Sequence, residues 1–95
     1  MAESDQLIIP DAAKGDQKSF EVIRVWLANN GLHVSLRTAV WEDPFAYGVM
    51  LSDLMHHIAN AYHQNEGGDW VKTLQRIKEG LDAELASPTD RPTGH

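Results

Sequence analysis

Ninety-five residues with no cysteine and a formal net charge of −6 make one small domain without disulfides, thiolate metal sites or a cysteine nucleophile. The acidic balance opposes the field that nucleic acid or an anionic membrane surface demands, and no stretch approaches membrane-spanning length. A hydrophobic content of 42 % with 23 % charged residues is that of a folded protein that needs no cofactor, and the acidic start Met1-Ala2-Glu3-Ser4-Asp5-Gln6 is expected of a cytoplasmic one.

Leu7-Ile8-Ile9-Pro10 predicts a short edge strand stopped by proline, which cannot donate to a ladder. Asp11 to Ser19, with Gly15 and no hydrophobic period, reads as a loop with a helical turn. Residues 22–38 alternate in two runs around Asn30-Gly31, the signature of a β-hairpin. A two-residue loop there places Leu27 opposite Val34, Val25 opposite Leu36 and Ile23 opposite Thr38 on an apolar face. The other face then pairs Ala28 with His33, Trp26 with Ser35 and Arg24 with Arg37. A helical reading of residues 16–28 competes, but six apolar residues within Phe20 to Leu27 leave no polar stripe and favour the strand.

Asp43-Pro44 opens a helix: aspartate accepts an orphan backbone N–H, and proline in first position has none to waste. Tyr47, Met50, Leu51, Leu54, Ile58, Ala61 and Tyr62 then recur at helical spacing to about residue 64. Asn65-Glu66-Gly67-Gly68 ends that helix, and Asp69 caps a second. Its stripe is Trp70, Leu74, Ile77, Leu81 and Leu85, and Ser87-Pro88 stops it. The expected fold is α+β in the order β-β-β-α-α, a small antiparallel sheet packed against two antiparallel helices. A single domain over 1–95 has its ordered core at 6–87, with flexible tails at 1–5 and 88–95.

The run Gly31-Leu32-His33-Val34-Ser35-Leu36-Arg37, the helix entry Trp41-Glu42-Asp43-Pro44 with Tyr47-Gly48, and the closing Ala86-Ser87-Pro88-Thr89-Asp90 together resemble a small bacterial family catalogued as domain of unknown function 5076. The resemblance covers nearly the whole chain and implies a compact standalone bacterial protein. It brings no activity, substrate or site residue with it.

Three constellations are candidates for function. Arg24 opposite Arg37 is a like-charge pair that needs compensation. It is read either as an anion clamp, with Trp26 as stacking wall and His33 nearby, or as two arginines answered by carboxylates of the same chain or a second subunit. Trp26, on the side away from the apolar face, is covered by Leu7 to Ile9 or presented to a partner. Asp53, His56 and His63 lie along one flank of the first helix at metal-ligand spacing, although no His-Glu-x-x-His or comparable motif accompanies them.

The leading expectation is a non-enzymatic cytoplasmic protein that acts by protein contact, as a homodimer or with an unidentified protein partner, and binds neither nucleic acid nor membrane. The alternative is a small anionic-ligand binder using Arg24, Trp26, His33 and Arg37. A lower one is a metal-dependent enzyme or sensor using His56 and His63. The serines lie in no nucleophile-elbow context and Gly67-Gly68 lacks a phosphate-loop pattern.

Overall fold

The computed structural model describes residues 5–88, so the expected tails lie, apart from Asp5 and Pro88, outside the described residues. The elements are α1 (Asp11–Lys14), β1 (Ile23–Ala28), β2 (Gly31–Leu36), α2 (Phe45–Glu66) and α3 (Trp70–Ala86). They belong to two compact units, one up to Thr38 and the other from Ala39.

In the first unit, Asn29 and Asn30 adopt φ values of 50° and 62°, the left-handed pair that a two-residue hairpin turn demands. Asparagine accepts this region because its short polar side chain bonds locally. The turn is thus Asn29-Asn30, a correction to the expected Asn30-Gly31, and Gly31 joins β2 opposite Ala28. Every partner changes accordingly: Ile23 faces Leu36, Val25 faces Val34 and Leu27 faces Leu32, while Arg24 faces Ser35 and Trp26 faces His33. This register stacks aliphatic on aliphatic and spares Arg24 the like-charge position opposite Arg37.

Among the described residues the sheet has two strands, and Leu7 to Ile9 form no third. Pro10 explains the correction. Its carbonyl accepts from the N–H groups of Ala13 and Lys14 at 3.0 and 3.1 Å, which opens α1 instead of closing a strand. Leu7, Ile8 and Ile9 stay exposed, while Trp26 is half-buried. The segment after α1 folds on itself, with Ser19 Oγ donating to Ala13 O at 2.7 Å and Lys18 N–H to Asp16 Oδ1 at 2.9 Å.

The second unit follows its cap signals. Asp43 Oδ1 accepts the Phe45 N–H at 3.0 Å at the start of α2. Gly67, at φ 68°, ends it in the left-handed conformation that only glycine adopts without cost. Asp69 Oδ1 accepts from Val71 N–H at 2.9 Å and Lys72 N–H at 3.2 Å, capping α3. α2 packs on α3, and their least exposed positions include Met55, Ala59, Trp70, Leu74 and Ile77. Leu51, Leu54, Ile58 and Tyr62 remain exposed, so the pair leaves part of the predicted α2 stripe uncovered. No helix among the described residues is long and apolar enough to cross a membrane.

Candidate functional site

The hairpin presents two chemically distinct faces. Ile23, Val25, Leu27, Leu32, Val34 and Leu36 make one of them entirely aliphatic, because alternate residues of a strand share a side. Exposure on that face is 77 % at Leu27, 56 % at Leu32 and 52 % at Val25. Ala59 is the sole buried residue among those described. Full burial of one such aliphatic side chain is worth about 1.5–3 kcal/mol, so the open face withholds a sum comparable to much of a small domain's stability of about 5–15 kcal/mol. A two-stranded hairpin is itself only marginally stable in water without further strands or a covering layer.

The opposite face carries Arg24, Trp26, His33 and Arg37, all four of the predicted contact residues. Glu21 organises its arginines. Arg24 reaches its carboxylate twice, from Nε to Oε2 at 3.2 Å and from Nη2 to Oε1 at 3.2 Å, while Arg37 Nε donates to the Glu21 carbonyl at 3.0 Å. The Arg37 guanidinium also lies over the Phe20 ring, 4.9 Å from its centroid, a favourable cation–π position. The guanidinium fork that would grip an anion is therefore already filled at Arg24 by a carboxylate of the same chain. Glu21 escaped the sequence reading, although its place three residues before Arg24 was a signal.

His33 stands opposite Trp26 and its Nε2 bonds the Ala28 carbonyl at 3.0 Å. A carbonyl only accepts, so Nε2 carries the proton. The same logic fixes His56, whose Nδ1 donates to Ser52 O at 2.7 Å, and His63, whose Nδ1 donates to Gly68 O at 2.8 Å. Asp53 is placed by His57, with Nε2 to Oδ2 at 3.5 Å, and not by His56. Asp53, His56 and His63 thus engage separate partners, and among the described residues no group of three His, Asp or Glu side chains is placed to hold a metal ion.

One further concavity lies along α2, an open groove of about 770 Å³ lined by Trp41, Phe45, Val49 and Met50, with Asp53 and His56 at its polar end. Trp41 is held edge-on against Tyr47, ring centroids 5.0 Å apart. Phe45 and Val49 fell outside the predicted stripe. The four-residue spacing of Trp41, Phe45 and Val49 is a second apolar line, and it was the available signal.

The family model described as domain of unknown function (DUF5076) matches residues 6–89. A solved structure from the photosynthetic bacterium Rhodopseudomonas palustrus CGA009, described as a "putative pyruvate dehydrogenase", is similar at 32 % identity and a TM-score of 0.77, over 100 % of this chain and 97 % of that one. A search of curated proteins finds no match. Nearly the full length of the sequence falls within one family model, and the chain belongs to the DUF5076 family.

Proposed function

We propose that this protein acts through protein–protein contact, as a self-associating, non-enzymatic subunit in the cytoplasm, with the hairpin as its contact element. One observation carries the reading: an all-aliphatic sheet face keeps Val25, Leu27, Leu32 and Leu36 exposed, Leu27 at 77 %, with Ile23 and Val34 half-buried. Monomers rarely leave contiguous apolar patches of more than a few hundred Å² in water, and larger ones mark interaction sites. The cysteine-free composition suits a reducing compartment.

The name of the Rhodopseudomonas protein asks for a site that holds a 2-oxo acid carboxylate. The Arg24 fork is the natural place for it here, and Glu21 occupies that fork. Contact accordingly takes precedence over anion binding.

Native mass spectrometry of the untagged protein at micromolar concentration tests the reading. A dimer or higher species is expected, and Leu27→Asp with Leu32→Asp should reduce it to monomer. A wild-type chain that is monomeric throughout overturns self-association.

A further inference from the structure

The ladder fixes which backbone groups the hairpin leaves open. Arg37 N–H donates to Val22 O at 2.9 Å, so Val22 is turned toward the partner strand. In an antiparallel pair this orientation alternates along each strand. Arg24, Trp26 and Ala28 therefore also turn inward, and Ile23, Val25 and Leu27 direct their N–H and C=O groups away from β2, along the outer edge of β1. Val34 and Leu36 do the same on β2. Such open rows are templates for another strand.

We propose that the outer edge of β1 pairs with the same edge of a second copy, antiparallel about Val25, joining two hairpins into one four-stranded sheet. This rests on the self-association proposed above and adds to it an edge contact, which sets the two aliphatic faces side by side without burying them. A two-fold axis through the sheet requires residues of the same parity to oppose each other, which leaves three central registers. Centring on Arg24 sets it against its own copy, a like-charge contact. Centring on Trp26 opposes the two indoles and leaves Ile23 unpaired. Centring on Val25 uses all three outward residues of both strands, Val25 with Val25 and Ile23 with Leu27.

The same register sets Arg24 of each copy opposite Trp26 of the other. These are the non-hydrogen-bonded positions, where side chains approach most closely, and tryptophan is the best ring for a guanidinium. The single charged residue of β1 thus meets an indole across the seam, with Glu21 of its own chain already balancing it. The β2 edge has no such complement: the equivalent pairing sets His33 against Ser35, and Gly31 weakens the strand end. Pairing along β1 also fuses the two aliphatic faces on one side of the sheet, giving the extent that an independently stable sheet needs.

The chain has no cysteine of its own, which makes single-cysteine cross-linking clean. Opposed residues of a hydrogen-bonded antiparallel pair have Cα atoms about 5.5 Å apart, within the disulfide range of about 4.4–6.8 Å. Val25→Cys should form a covalent dimer under mild oxidation on a non-reducing gel, and Val34→Cys should not, with native mass spectrometry of the wild type run alongside. Cross-linking at 34 and not at 25 overturns the β1 edge in favour of β2. A wild-type dimer with no cross-link at either position overturns edge pairing and leaves self-association standing. A wild-type monomer overturns both.

Discussion

Glu21 holds Arg24 by both oxygens of its carboxylate while its backbone carbonyl holds Arg37. The two contacts respond differently to mutation. Glu21→Gln removes the ion pair and leaves the carbonyl bond to Arg37 in place. The pair is substantially exposed on both sides, so its loss should cost less than about 1 kcal/mol. Urea denaturation at low and high ionic strength checks this, with the difference from wild type shrinking as salt screens the pair.

The turn offers a sharper test. Asn30 sits at φ 62°, so Asn30→Ala places a methyl-bearing residue in the left-handed region at a cost of about 1 kcal/mol. Asn30→Gly should hold or raise stability. Gly31→Ala should be tolerated, because Gly31 is a strand residue here and an added Cβ meets only the Ala28 carbonyl at 4.0 Å. A turn centred on Asn30-Gly31 would reverse the ranking of the two alanine variants, and thermal denaturation separates the cases.

The loop between the helices is specified at both ends. Asp69→Ala removes the acceptor of two backbone N–H groups and should cost about 0.5–2 kcal/mol. Gly67→Ala meets no neighbouring atom within 4 Å, but its φ of 68° makes the substitution costly by about 1 kcal/mol for backbone reasons alone. Chemical denaturation followed by helical circular dichroism reads both.

Among the described residues, Lys78 has its pKa moved by a partner. Its hydrogen bond to Asp82, at 2.7 Å, and then the attraction between the two charges hold its pKa above the ordinary 10.5. A raised folded-state pKa stabilises fully below the unfolded value and loses that contribution as pH rises through the folded one. The benefit is therefore present at neutral pH and fades only above 10.5. Asp82→Asn should return the Lys78 ammonium titration, followed by NMR, toward its ordinary value.

The helices were legible because their punctuation is local. Asp43, Gly67 and Asp69 act within four residues of their own position, and each fixes a boundary without tertiary help. The two faces of the hairpin were legible as well, since the turn moved by one residue, each cross-strand partner moved by two, and side chains alternate with period two. Pairings were not, because Asn29-Asn30 and Asn30-Gly31 are both competent turns and the choice lies in how the strands stack. Leu7 to Ile9 misled for a related reason. Apolar residues need a neighbouring strand to become one, and Pro10 diverts the chain into α1 first. Of the candidate site, the four residues of the outer face lie together on one side of the hairpin, while Glu21 was missed because its one cue, a place three residues before Arg24, belongs to no strand period.

The histidines carry a consequence for acid behaviour. Of the four described, His33, His56 and His63 each hold a carbonyl through a nitrogen that already bears its proton. An imidazole gains its second proton on the other nitrogen, so protonation adds charge without removing any of these three bonds. They serve as struts that acidification leaves standing, and the hairpin turn, the middle of α2 and the inter-helix loop keep the same tethers in either charge state.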